Sequence, residues 1–150
     1  MKLEDEIKQT KPFKSEFQKL ILNISFTGSW FNSIILNHLK PFDITPHQYN
    51  VLRILKGKHP QSYCNQEITQ RMIDRSSNAT RIVDKLKDKG LVTRTEDEND
   101  RRLVNIKITD MGLELLAEIE ESLAKISAGM QTFNEEKAKL MNEWLDELRG

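Results

Sequence analysis

The sequence predicts a mainly α-helical protein with one small β-hairpin, an α+β class, from three observations. Apolar residues recur at spacings of three and four over most of the 150 residues, and the period switches to two only between Leu91 and Ile108. Helix-starting and helix-stopping residues punctuate the periodic stretches. Finally, 37% hydrophobic and 31% charged residues at this length suit one domain with a working core. Apolar runs extend only a few residues, against the roughly 20 that span a bilayer, and the N-terminal MKLEDEIKQT carries acids where a signal core would be apolar. The single cysteine, Cys64, can form neither an intrachain disulfide nor a structural zinc site. An unexported, cytoplasmic protein without a membrane partner is the expectation.

From Phe13 to Leu39 the residues Phe17, Leu20, Ile21, Ile24, Ile34 and Ile35 mark one face of a long helix, and Phe26 and Trp30 widen that face enough to need a second partner. The polar residues 1 to 12 have no comparable face and are expected to fray. Thr45-Pro46-His47-Gln48 combines a capping hydroxyl, proline at the first helical position and glutamine three residues after the cap, and Gly57 with Pro60 ends the helix. Asn65 is a candidate cap for a short helix through Ile68 and Met72. The polar turn Asp74 to Asn78 leads to another, with Ala79, Ile82, Val83 and Leu86 on its apolar side and a stop at Gly90. Residues 91–95 and 103–108 alternate as strands joined by the charged Glu96 to Arg102. Thr109 and Asn134 are candidate caps of two closing helices, the first through Leu116, Ile119 and Met130 and the second through Leu140, Trp144 and Leu148.

Lys plus Arg and Asp plus Glu number 23 each, so bulk charge does not argue for a polybasic coat. The distribution is uneven: residues 1–63 carry +4, residues 64–109 carry +2 and residues 110–150 carry −6. That pattern fits a positive face opposite an acidic tail, and equally an ordinary acidic C-terminal helix. Short helix, tight turn, short helix and β-hairpin follow one another in the order of a winged helix-turn-helix core. Its second helix can enter the major groove while the hairpin reaches the flanking backbone. Long N- and C-terminal helices would flank that core.

Three stretches carry a family resemblance that covers nearly everything from Phe13 to Leu148. Ile44-Thr45-Pro46-His47-Gln48-Tyr49-Asn50-Val51-Leu52 contains a Thr-x-x-Gln helix opening. Ser77 to Val92 resembles a recognition helix with its exit into a wing, and Asp100-Arg101-Arg102 followed by Ile106 to Gly112 is similar to an Asp-x-Arg wing, strand and Thr-x-x-Gly helix start. In this order and spacing the sequence resembles the multiple-antibiotic-resistance regulator (MarR) family of bacterial transcription factors. Where relatives often place apolar or small residues in the turn, this chain has Asp74 and Arg75. The resemblance implies a single domain over 1–150, with a DNA-binding lobe at 45–109 and helical dimerisation regions at 13–44 and 110–149.

Among candidate DNA-binding residues, Ser76, Ser77 and Asn78 lie at a helix N-terminus that suits phosphate oxygens, or plain N-capping. Thr80 and Arg81 fall on the outward side, and Arg81 is shaped for bidentate contact with guanine, or for pairing with Asp84 one turn on. Lys85 suits a phosphate. In the wing, Asp100 can orient Arg101 and Arg102, and the resemblance places Arg102 in the minor groove; a wing salt bridge is the other reading. Phe26, Trp30 and Phe31 are candidates for lining a pocket for a small aromatic or phenolic effector, or for packing in a dimer core. The histidines and Cys64 lack metal-ligand spacing, no cofactor is expected, and no catalytic constellation points to an enzyme. The expected function is a homodimeric, sequence-specific regulator of double-stranded DNA, in this family more often a repressor, on a palindromic operator. The alternative is a winged-helix protein-interaction module that does not bind DNA.

Overall fold

The computed structural model describes residues 2–96, 104–129 and 134–150, with side chains in the second stretch placed through residue 125. Helices α1 (Leu3–Glu6), α2 (Glu16–Leu39), α3 (Pro46–Lys56), α4 (Asn65–Arg71) and α5 (Ala79–Asp88) precede strands β1 (Val92–Glu96) and β2 (Val104–Ile108). Helices α6 (Asp110–Gly129) and α7 (Glu135–Arg149) follow. The mainly helical class with one antiparallel hairpin is thus the observed one. The chain forms two compact units, Met1–Pro46 and His47–Gly150. Among the described residues, no helix is long and apolar enough to cross a membrane.

In the first unit, α2 begins at Glu16, three residues later than the apolar stripe suggested. Ser15 stops it there: its hydroxyl accepts from the Gln18 backbone N–H at 3.2 Å, and Gln18 Oε1 accepts from the Lys14 N–H at 2.9 Å, a Ser-x-x-Gln capping arrangement. The preceding segment, in which the sequence showed no periodic face, contains one helical turn. Leu3 is buried in the one-turn helix α1, and the Lys19 ammonium of α2 binds the Glu4 carboxylate at 2.5 Å. A contact across 15 residues supplied what the local pattern lacked. Along α2 only Leu39 is buried; Phe17 is 80% exposed and Ile21 65%.

The core of the second unit collects one side from each element. Val51, Leu52 and Leu55 of α3, Ile68 of α4, Val83 and Leu86 of α5, Ile106 of β2, and Leu116 and Ile119 of α6 are all essentially inaccessible. Each such side chain stabilises the fold by roughly 1.5–3 kcal/mol through removal from water. The strands pair in the register Val92↔Ile108 to Glu96↔Val104, and Tyr63 adds a one-residue bridge to Ile106 through two backbone hydrogen bonds of 3.0 and 2.9 Å. Helix α4 is capped by Cys64, not by Asn65 as the sequence suggested. The Glu67 carboxylate accepts from the Cys64 N–H at 2.9 Å, and this bond holds the Glu67 carboxyl below its usual pKa.

The corner between α5, β1 and α6 explains the Thr-x-x-Gly motif. Gly90 ends α5 with φ +72°, a left-handed conformation that favours glycine, and its N–H donates to the Lys87 carbonyl at 2.8 Å. The Thr109 hydroxyl donates to the Gly90 carbonyl at 2.8 Å and accepts from the Gly112 N–H at 3.1 Å, and the Thr109 N–H donates to the Leu91 carbonyl. A methyl group at Gly112 would overlap the Leu91 carbonyl oxygen and stand 2.8 Å from Ile108 Cγ1. One residue caps α6 while the other lets it approach the strand. Gly112→Ala is therefore expected to lower stability by about 1–3 kcal/mol through overpacking, and Thr109→Val by about 1 kcal/mol through loss of the cap. Thr109→Ser should retain most of that contribution. Denaturant midpoints at constant slope measure all three.

Candidate nucleic-acid interface

Helix α5 divides cleanly into two sides. Ala79, Val83 and Leu86 are buried and Ile82 is half-buried, whereas Thr80, Arg81 and Lys85 are exposed. Arg81 and Lys85 are four residues apart and so share one outward face about one turn in length. The Asp84 carboxylate, which the sequence offered as a partner for Arg81, accepts instead from Arg94 of β1 at 2.8 Å. That ion pair joins the helix to the first strand of the hairpin and leaves the Arg81 guanidinium displayed on the surface.

The N-terminal end of α5 is built around two side chains. Asn78 is the cap: its Oδ1 accepts from the Arg81 backbone N–H at 3.1 Å. Ser76 and Ser77 sit just before it, but their donors are committed to Asp74. Asp74 Oδ1 accepts from the Ser76 N–H at 3.0 Å and the Ser76 hydroxyl at 2.5 Å, and Oδ2 accepts from the Ser77 hydroxyl at 2.7 Å and from His47 Nε2 at 3.1 Å. These bonds, those from the Ser76 and Ser77 hydroxyls foremost and then the one from His47, hold the Asp74 carboxyl far below the usual carboxylate range. Close by, the Ile73 N–H donates to Asn50 Oδ1 at 3.0 Å. Helix α3 thus grips the turn at two positions three residues apart.

Of the residues nominated from sequence, Ser76, Ser77, Asn78, Thr80, Arg81 and Lys85 are gathered on one turn and one helix. Asp100, Arg101 and Arg102 lie outside the described residues. Phe26 and Trp30 come together with Leu3, Glu6, Asn23 and Thr27 around a cavity of about 230 Å³ in the first unit. The ring of Phe31, nominated with them, is tilted against Trp30 at a centroid distance of 6.3 Å and does not join that lining. Among the described residues, no group of three or more His, Cys, Asp or Glu side chains could hold a metal ion.

Sequence reasoning passed over Asp74, His47, Asn50 and Arg94 as a positioning set. Asp74 carried a readable signal, since an aspartate followed at two and three residues by serines is a turn in which side chain and backbone exchange hydrogen bonds. The partners of Asp74 and Asp84 in other elements carried none. Arg75, exposed in the same turn, adds a positive charge beside the helix entry.

Comparison with known proteins agrees with this architecture. The model of the MarR family matches residues 44–104, from the end of the first unit to the start of β2. The chain is 29% identical over 128 residues to the HTH-type transcriptional regulator MhqR of Bacillus subtilis, covering 85% of this chain and 87% of that protein. A crystal structure of a MarR transcription factor from Planctomyces limnophilus is 30% identical, with a TM-score of 0.69, over 92% of this chain and 98% of that one. A mutant MarR from E. coli, complexed with operator DNA, has a TM-score of 0.77 at 20% identity over 92% and 99% of the two chains, which is a likeness of fold. The capped helix pair, the hairpin and the Thr109–Gly112 corner are therefore the winged helix-turn-helix of a transcriptional regulator, and the chain belongs to the MarR family.

Proposed function

We propose that this protein is a homodimeric repressor that reads a palindromic operator with α5 in the major groove. The observation that carries the reading is the outward face of α5, where Thr80, Arg81 and Lys85 are exposed while Asp84 is engaged by Arg94. A displayed arginine near the start of a firmly held helix suits the O6 and N7 acceptors of guanine, and Lys85 one turn on suits a phosphate. Asn78 supports this as the cap that orients Arg81. Arg102 would continue the contact into the adjacent minor groove, as the family resemblance implies, with Asp100 orienting it and Arg101 beside it in the wing. The operator complex of the E. coli MarR, whose fold this chain shares, supports the docking mode. Repression needs only occupancy of the site, whereas activation needs a further contact with polymerase, so repression is the simpler consequence of such binding. A protein working on the chromosome belongs in the cytoplasm.

Dimerisation is supported by apolar surface that the chain leaves uncovered. Phe17 and Ile21 on α2, and Trp144 and Leu148 on α7, are between 58% and 80% exposed, and α7 has no buried residue. In this proposal residues 13–44 and 110–149 pair with a second copy, the lobe at 45–109 binds DNA, and two α5 helices stand about 34 Å apart, one helical turn of DNA. Release by a small aromatic or phenolic effector at Phe26 and Trp30 completes the reading, and the cavity beside them supports it. Its size, about 230 Å³, suits a single ring.

Retention of fragments selected from the source genome tests the function directly; if no duplex is retained, the winged lobe is a protein-docking module. Sedimentation should show two chains per particle at micromolar concentration, and a folded monomer there would remove the basis for a palindromic site. Arg81→Ala is expected to cost about 1–3 kcal/mol on the selected operator and to flatten preference at one position per half-site. Lys85→Ala should weaken all sequences alike. For the wing, affinity measured against salt should show Arg102→Ala weaker, with the slope of log K on log salt reduced by about 0.9 for each phosphate that the variant no longer neutralises. Asp100→Ala should do less harm, since loss of orientation is opposed by removal of a carboxylate beside DNA.

A further inference from the structure

The turn between α4 and α5 holds four donors on one carboxylate and a fifth bond to Asn50, and two of these five ties come from α3. The acceptor is a carboxylate held well below its usual range by these donors, so the bonds are charge-assisted. They reach across 27 residues of chain, from His47 to Asp74, and 23 from Asn50 to Ile73. The segment they immobilise ends at Asn78, the cap of α5. The position of this carboxylate therefore fixes where the chain enters α5.

The same bonds commit the donors that a helix entry would otherwise offer to phosphates. The Ser76 N–H and the Ser76 and Ser77 hydroxyl hydrogens all point at Asp74. Turning them toward a DNA backbone would strip an exposed anion of its partners beside a polyanion. That cost falls on every backbone-only binding mode whatever the sequence. A fixed α5 direction, by contrast, benefits only the duplex whose bases match Thr80 and Arg81.

We infer that Asp74 is a positioning residue that sets the ratio of operator to non-specific binding without touching DNA, by pinning the entry of α5 to α3 and keeping the donors of Ser76 and Ser77 away from phosphates. The inference rests on α5 being the DNA-reading helix.

The test compares affinity for a genome-selected operator with that for a scrambled duplex of equal length, over a range of salt, using the full-length protein. Asp74→Ala should weaken operator binding about tenfold while scrambled binding holds or rises a few-fold. Asp74→Asn, which keeps an acceptor for Ser76 but loses the second carboxylate oxygen, should fall between. The double variant Ser76→Ala, Ser77→Ala should weaken the operator without changing the salt slope on scrambled DNA. Thermal unfolding confirms that each variant is folded at the assay temperature, and if Asp74→Ala is not, Asp74→Asn carries the comparison. Proportional loss on both duplexes, an equal gain on both, or no change on either overturns the inference while leaving the DNA-reading role intact. Absence of operator binding by the wild type overturns that role and the inference with it.

Discussion

A ten-residue helix does not persist in water unaided, because the cost of nucleating it is recovered only over longer lengths. Everything expected of α5 depends on the neighbouring structure holding it, and it is held at both ends and in the middle. Asn78 and the Asp74 turn fix its start, and Gly90 with Thr109 fixes its end. The Arg94–Asp84 ion pair ties its central turn to the hairpin, while Val83 and Leu86 anchor its inner side. The exposed pair is half open to solvent, so its energetic contribution is small and its value lies in direction. A helix held in this way can present Arg81 without ordering it anew at each encounter, which lowers the entropic cost of binding.

The apolar residues divide the molecule into two kinds of surface. In the second unit they converge on one core in which α3 to α6 and the hairpin all take part. On α2 and α7 they remain in water, and exposure of rings such as Phe17 and Trp144 carries a free-energy cost that a partner would offset. Helix α6 is joined to the end of α5 by hydrogen bonds: it starts at the Thr109 cap whose hydroxyl also holds the Gly90 carbonyl. Movement of α6 about that cap would be felt at Gly90. This gives a physical path from α6 to the end of α5.

Most of the element boundaries were legible because their causes are local. Pro46 at the start of α3, Asn78, Asn134 and Thr109 as caps, and Gly90 as a stop all act within four residues of chain. The misreadings arose where two local candidates competed or where a distant partner intervened. Cys64 displaced Asn65 as cap because Glu67 stands three residues after it and reaches its N–H. Ser15 with Gln18 set the start of α2, although Phe13 continued the apolar stripe. The first turn, Leu3–Glu6, has no periodic face to announce it and forms against Lys19 of another helix.

What composition, periodicity and capping chemistry decided is the series of helices and strands, the side of α5 that turns inward, and with it the residues available to a ligand. Those properties follow from side-chain spacing along one chain segment, which sequence records directly. Which charges are free was decided only by tertiary structure. Asp84 had an arginine three residues before it and another ten residues after it, and folding chose the second. His47 and Asp74 lie 27 residues apart, and only folding brought the imidazole onto the carboxylate that Ser76 and Ser77 already engage locally. Hydrogen bonds between elements depend on distances of a few tenths of an ångström that no pattern of residue types encodes, so the ties from His47 and Asn50 to the turn before α5 became visible only when the chain had folded around them.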